Sequence, residues 1–300
     1  MTIFMKKTIF TGAGVAIVTP MNADGSINYE EFGRIIDFQI ENETDAIIVC
    51  GTTGESSTMT DEEHIECIRY CVERVNKRVP VIAGTGSNDT RYAIDLSREA
   101  EKLGADALLL VTPYYNKTSQ RGLVAHFTAI ADSVKIPSVL YNVPSRTGVN
   151  IDLNTYKILC NHENIAATKE ASGNISAIAK IIEACGDDMD VYSGNDDQIV
   201  PIMSLGGKGV ISVLSNVMPK ETHQMTQLCL DNNFAEAAKL QIKYLELINN
   251  LFIDVNPIPV KEAMNLMGFN AGECRLPLLR MEQSKIDALA ESMRKHNLLK

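Results

Sequence analysis

Short β-branched runs alternate with longer amphipathic stretches along most of the chain. The runs are GVAIVTP (14–20), DAIIVCG (45–51), PVIAGTG (80–86), ADALLLVTP (105–113), IPSVLYNVP (136–144), NIAATKEAS (164–172), DVYSGN (190–195) and GVISVLSN (209–216). Most are continuously apolar, the pattern of parallel strands buried on both faces. The seventh is the weakest and is assigned because the rhythm of its neighbours requires a strand there. Between the runs lie helical patterns. Residues 29–41 place Phe32, Ile35, Ile36 and Ile40 on one face. Residues 61–76 carry Ile65, Ile68, Val72 and Val75 behind an acidic first turn that suits the helix dipole. Residues 90–102 stop at Leu103-Gly104, with a strand directly after.

Strand and helix in repeated alternation predict an α/β fold, a (β/α)8 barrel, in preference to an open doubly wound sheet. An open sheet would carry a nucleotide fingerprint after its first strand, and TPMNADG (19–25) is not one. From Asn232 the pattern changes to helices without strands, at 234–252, 257–267 and 281–295, broken by NPIP (256–259) and Leu276-Pro277. This predicts a barrel over residues 1–231 and a helical extension over 232–300, packed on it as one structural unit.

The chain has 300 residues, 45% apolar and 22% charged, within the range of a single barrel domain. No apolar run reaches the roughly 18 residues of a membrane span. Residues 1–10 include Lys6 and Lys7, with no long apolar region or cleavage site behind them, so no signal peptide and a cytoplasmic location are expected. A formal charge of −10 with no basic stretch argues against a nucleic-acid partner, although buried cations can still receive a small anion. The seven cysteines form no CxxC pair. His64, Cys67 and Cys71 share a helix face, but a zinc site needs a fourth ligand and a typical spacing, so buried thiols beside a polar histidine are expected and no metal.

In a barrel of this kind the chemistry sits where strands end. Thr52 and Thr53 follow the second run, Tyr114 and Tyr115 the fourth, and Tyr141 and Arg146 belong to the fifth and its loop. Lys169 lies in the sixth run and Gly194 in the seventh. Ile211 sits earlier in the eighth and could only line the interior. A lysine within IAATKEAS is costly to bury as a cation. It is either an amine whose lowered pKa lets it attack a carbonyl, or a strand-end lysine paired with Glu170 or reaching solvent. Tyr141 and Tyr115 are proton carriers or core aromatics. The GTTGE turn (51–55) exposes hydroxyls and N–H groups suited to a carboxylate, but is also a common loop. Arg146 is a bidentate carboxylate receptor or a surface residue. GGKG (206–209) precedes the eighth strand and lacks a following Ser or Thr, so it is not a phosphate loop.

Taken in order, GTTGES (51–56), VTPYYNK (111–117), LYNVPSRTG (140–148), KEASGN (169–174), SGND (193–196), GVISV (209–213) and NPIPVK (256–261) closely resemble the dihydrodipicolinate synthase family, within the N-acetylneuraminate lyase-type class I aldolases. The resemblance implies condensation of pyruvate with aspartate 4-semialdehyde in lysine and diaminopimelate biosynthesis, without metal or organic cofactor. It implies that Lys169 forms the pyruvate imine and Tyr141 relays protons, linked to Thr52 and to a Tyr115 donated by a neighbouring subunit. It assigns Thr53 to the pyruvate carboxylate, Arg146 to the semialdehyde carboxylate, and Gly194 and Ile211 to backbone groups near Lys169. A homotetramer built as a dimer of dimers is implied as well. Sister lyases acting on N-acetylneuraminate or hydroxy-oxoglutarate share the lysine, the tyrosine and a G-x-T-G-E turn; Arg146 in NVPSRTG and Thr52 in place of serine favour the synthase. A non-catalytic barrel predicts gaps in this set, and there are none.

Many family members are inhibited by lysine at the dimer interface. Ser57, His64, Asn88 and Tyr114 match or nearly match that pocket, but its glutamate falls at Tyr92 and one histidine at Asp61. Weak or absent lysine feedback is therefore expected. Initial-rate assays with added lysine check this, and inhibition at nanomolar to micromolar concentration contradicts it.

Overall fold

A computed structural model describes residues 6–299; residues 1–5, part of the segment read for a signal peptide, and residue 300 lie outside the described residues. Eight strands close into one parallel barrel in sequence order: β1 Gly12–Ala16, β2 Ala46–Val49, β3 Val81–Gly84, β4 Ala107–Val111, β5 Ser138–Asn142, β6 Ile165–Glu170, β7 Asp190–Ser193 and β8 Gly209–Ser212. Seven fall inside their apolar runs, the weak seventh included, while β1 begins two residues before its run, at Gly12. Helices Tyr29–Glu41 and Thr90–Lys102 have the predicted bounds, and Asp61–Val75 ends one residue early at a left-handed Asn76. Its start is fixed by a capping box between Thr60 and Glu63. No described helix is long and apolar enough to cross a membrane.

Continuous apolar strands arise because their two faces feed two cores. Ile48, Leu109, Val139, Tyr141 and Ala167 point into the barrel with Ile82 and Ile211. Their neighbours Ile47, Val49, Leu108, Leu110 and Leu140 pack outward against the helices. The period of two in strand side chains then settles where chemistry can stand. Lys169, two residues beyond Ala167, faces inward, and Glu170 faces out. Below them the barrel is plugged by Phe10 stacked on Tyr192, with centroids 4.3 Å apart. The Tyr192 hydroxyl donates to the Phe10 carbonyl at 2.6 Å.

The last glycine of GGKG serves closure. Gly209 pairs with Gly12 where β8 meets β1, and a Cβ on it would stand 2.0 Å from the Gly12 carbonyl oxygen. The histidine and cysteine cluster is structural. His64 shares a 2.8 Å hydrogen bond with the Gly84 carbonyl through Nε2, while Cys67 and Cys71 are wholly buried.

Beyond β8 the chain forms helices Pro219–Leu230, Phe234–Asn250, Ile258–Leu266 and Gln283–Arg294. Gln241 donates through Nε2 to the Asp196 carbonyl at 2.8 Å, just past β7. Lys261 forms a 2.8 Å ion pair with Glu55, both side chains 1% exposed, and also donates to the Glu273 carbonyl at 2.9 Å. The second Glu55 oxygen accepts from the Arg275 N–H at 2.9 Å. Such a pair is strongly coupled, because removing one partner strands a buried charge. Lys261→Met is expected to lower unfolding stability by about 3–5 kcal/mol. Adding Glu55→Gln to Lys261→Met should cost less than the sum of the single changes; additive losses in denaturant titrations would refute the coupling.

Candidate active site

The C-terminal ends of the strands surround a cavity of about 210 Å3 lined by Thr52, Thr53, Tyr141, Arg146, Lys169 and Gly194, with further walls from other loops. A larger groove of about 770 Å3 lies on the outer surface beside helix Tyr29–Glu41, lined by mixed charges such as Glu31, Arg34 and Asp37. Its one buried carboxylate, Glu31, is occupied by Arg34 and the Asn270 N–H, so the smaller cavity is the candidate.

Lys169 is 6% exposed and stands opposite Tyr141 on β5 and Tyr192 on β7. Burial lowers its pKa to about 8, helped by the Arg146 cation and opposed by the Asp196 carboxylate. Its Nζ lies 4.3 Å from the Tyr141 ring centroid, so the aromatic face offers the cation partial compensation. Glu170 does not pair with it. That carboxylate points outward and is occupied by Asn142 Nδ2 (2.5 Å), the Tyr156 hydroxyl (3.1 Å), and the Ser172 N–H (3.1 Å) and hydroxyl (2.6 Å). The competing readings of Lys169, an ion pair with Glu170 or a head in solvent, are both set aside by this geometry.

Tyr141 is buried, and burial pushes its phenol pKa up, with Arg146 and Thr52 pulling it partly back. It therefore keeps its proton at neutral pH, with its ring face against the Lys169 amine. Thr52 and Thr53 sit in a tight turn, in which Gly54 N–H bonds the Gly51 carbonyl and Glu55 N–H bonds the Thr52 carbonyl, each at 3.1 Å. Neither threonine donates its own N–H to another described residue, which leaves both groups for an anion. Arg146 rides on the short helix Pro144–Thr147, which ends at a left-handed Gly148. It is exposed at the cavity mouth, and its Nη2 donates to the Asn256 carbonyl at 3.2 Å. Gly194 admits no side chain, since a Cβ would lie 2.7 Å from that of Ala171.

Two predicted residues stand apart. Ile211 packs among the inward-facing side chains and Val213 lines the cavity in its place. Tyr115 is 92% exposed with a left-handed φ of 66° and is not part of this cavity wall. In the outlying set, the Tyr92 hydroxyl donates to Asp61 at 2.7 Å and Asn88 Nδ2 donates to the Tyr114 carbonyl at 3.2 Å. His64 is buried on Gly84, and Ser57 is exposed.

Sequence reasoning missed two groups. Asp196 is 3% exposed, with one carboxylate oxygen accepting from the Val213 and Leu214 N–H groups at 3.0 and 2.9 Å. Asn256, 5% exposed, donates from Nδ2 to Thr53 Oγ1 at 3.0 Å. Both stand in quoted motifs, SGND and NPIPVK, but nothing local marks an aspartate after a strand or an asparagine before proline as buried.

A model of the dihydrodipicolinate synthetase family matches residues 9–296. A 4-hydroxy-tetrahydrodipicolinate synthase of Acetivibrio thermocellus is 57% identical over 295 residues, covering 98% of this chain and 100% of that one. Another, from Lachnoclostridium phytofermentans, is 58% identical over 292 residues, covering 97% and 99%. The crystal structure of the chloride-inhibited dihydrodipicolinate synthase of Acinetobacter baumannii, complexed with pyruvate, has a TM-score of 0.95 at 41% identity, covering 97% of this chain and 100% of that one.

A lysine of pKa about 8 is neutral in about one molecule in ten at pH 7, against fewer than about one in a thousand for a free side chain. The neutral fraction rises with pH, so Lys169 labelling by an amine-specific reagent should show a midpoint near 8. Asp196→Asn removes the charge that raises this pKa and should shift the midpoint down; Arg146→Gln should shift it up. Shifts of the opposite sign, read by mass spectrometry across pH, would refute the assignment.

Proposed function

Since the chain belongs to the dihydrodipicolinate synthetase family, we propose that Lys169 carries the condensation of pyruvate with L-aspartate 4-semialdehyde to 4-hydroxy-tetrahydrodipicolinate as a covalent imine. This is the first committed step of lysine and diaminopimelate biosynthesis. The observation that supports Lys169 most is its buried amine, unpaired with Glu170 and depressed in pKa, beside the Tyr141 phenol.

Neutral Lys169 attacks the C2 carbonyl of pyruvate, and the carbinolamine loses water to give the imine. Tyr141, which burial keeps protonated, supplies the proton that lets the carbinolamine oxygen leave. The protonated imine draws electrons from C3, which releases a proton and becomes an enamine carbon. That carbon attacks the aldehyde, the new alkoxide takes a proton, and the semialdehyde's amine closes the ring on C2. Expulsion of the Lys169 amine restores the enzyme. The imine itself is the electron sink, so the reading calls for no metal or organic cofactor.

Thr53 and the free N–H groups of its turn receive the pyruvate carboxylate, and Arg146 at the mouth receives that of the semialdehyde. Gly194 keeps the wall beside Lys169 open, and Ile211 supports it from below. Tyr115 projects into solvent from its own chain, which supports a role in a neighbouring copy's site, linked there to Thr52 and Tyr141. We accordingly propose a cytoplasmic homotetramer, a dimer of dimers, in which the helices from residue 232 onward belong to the barrel's structural unit. The Tyr92–Asp61 hydrogen bond spans the positions that depart from the lysine-binding pattern, in keeping with weak or absent feedback.

Incubation with pyruvate and borohydride should leave a reduced adduct on Lys169, mapped by peptide mass spectrometry. Turnover should follow with aspartate semialdehyde and not with N-acetylmannosamine. Tyr141→Phe should keep the fold and lower kcat by about 10²–10⁴-fold. An adduct on another residue, or none, would contradict the assignment.

A further inference from the structure

Helix Ile258–Leu266 and the residues before it do more than cover the barrel. The segment reaches the cavity through Phe252 and Asn256. Asn256 touches both groups read as carboxylate receptors: its side-chain amide meets Thr53 Oγ1 at 3.0 Å, and its main-chain carbonyl takes the Arg146 Nη2 donor at 3.2 Å. Turning the amide over would exchange donor and acceptor at Thr53 but leave the contact in place. One turn further on, Lys261 holds Glu55, two residues beyond Thr53. The GTTGE turn is thus pinned twice by the same stretch of chain, once at Thr53 and once at Glu55.

Both groups that Asn256 presents to the receptors, its side-chain amide and its main-chain carbonyl, are neutral. A carboxylate at position 256 would orient the same partners, but it would also cancel the Arg146 charge and repel an incoming anion. In a chain of net charge −10, a cation meant for an anionic substrate needs partners that orient it without neutralising it. An amide side chain and a peptide carbonyl meet that condition. The long, exposed Arg146 side chain otherwise has many rotamers to lose on binding, and a fixed acceptor reduces that loss.

We propose that Asn256 is a positioning residue for both substrates, its side chain aligning Thr53 for the pyruvate carboxylate and its carbonyl aligning Arg146 for the semialdehyde. This rests on the assignment of those two receptors above. The side chain and the main chain then answer separately to substitution. Asn256→Ala removes the amide and keeps the carbonyl. It should raise the half-saturating pyruvate concentration about fivefold, the worth of one hydrogen bond, and leave KM for aspartate semialdehyde within about twofold of wild type. Asn256→Asp keeps the shape, adds a charge beside both receptors, and should weaken both substrates.

The experiment reads pyruvate binding as borohydride-trapped Lys169 adduct in the intact protein over a pyruvate titration, and semialdehyde KM by turnover. Circular dichroism and native mass confirm that each variant is folded and assembled. If wild type forms no adduct, the receptor and imine reading itself fails. If wild type forms the adduct, the expected result is a selective pyruvate defect in Asn256→Ala and a double defect in Asn256→Asp. An unchanged pyruvate titration in Asn256→Ala, or equal losses for both substrates in that variant, overturns the proposal.

Discussion

A primary amine inside a barrel lined by Ile48, Leu109 and Ala167 has few ways to exist. As a cation without a partner it loses its hydration, a penalty of several kcal/mol that a protein answers by pairing the charge or by shifting the pKa. At Lys169 the first answer is blocked. Glu170, the adjacent carboxylate, leaves the strand on the opposite face and is saturated by Asn142, Tyr156 and Ser172. What remains is a balance among Asp196, the Tyr141 ring and Arg146, and the amine settles near pKa 8. The rest of the rim follows from that balance: a phenol that burial keeps protonated, a turn with unspent N–H groups, and an arginine at the mouth.

The C-terminal segment is the second constraint. Within the barrel, the loop after β2, which holds both threonines, is tied by its own turn and by Thr19 Oγ1, which donates to the Gly54 carbonyl at 2.8 Å. The loop is also tied by the buried Lys261–Glu55 ion pair and the Asn256 amide, while Gln241 holds the loop that carries Asp196. A buried ion pair is a weak source of net stability but a strict one of geometry, because each partner is costly to leave alone. The segment that follows the barrel therefore reaches the cavity rim from outside it and fixes Thr53, Glu55 and the Asp196 main chain in place.

Much of the fold is legible in the sequence. The barrel followed from eight apolar runs, since strands buried on both faces need no alternation, and even the weak DVYSGN run forms β7. The inward direction of Lys169 follows from parity along β6. The environment that decides between its readings was not legible, because it depends on where Glu170, Asp196 and Arg146 point in three dimensions. Asp196 and Asn256 were missed for the same reason: each is an ordinary polar residue in a loop until long-range contacts bury it. Ile211 was read as interior-facing and is so, but the cavity wall beside Lys169 comes from Val213. Tyr115 illustrates the reverse limit. It is left-handed and 92% exposed, and the role proposed for it beside a second copy depends on contacts that no pattern within one chain describes.

The buried amine of Lys169 is proposed to bond covalently to the keto carbon of pyruvate at neutral pH. Carbon-13 NMR of pyruvate labelled at C2, bound to the intact enzyme without reductant, tests it most directly. An imine carbon resonance is expected with wild type and is lost in folded Lys169→Arg. A bound spectrum at saturating pyruvate containing only ketone and hydrate would contradict it.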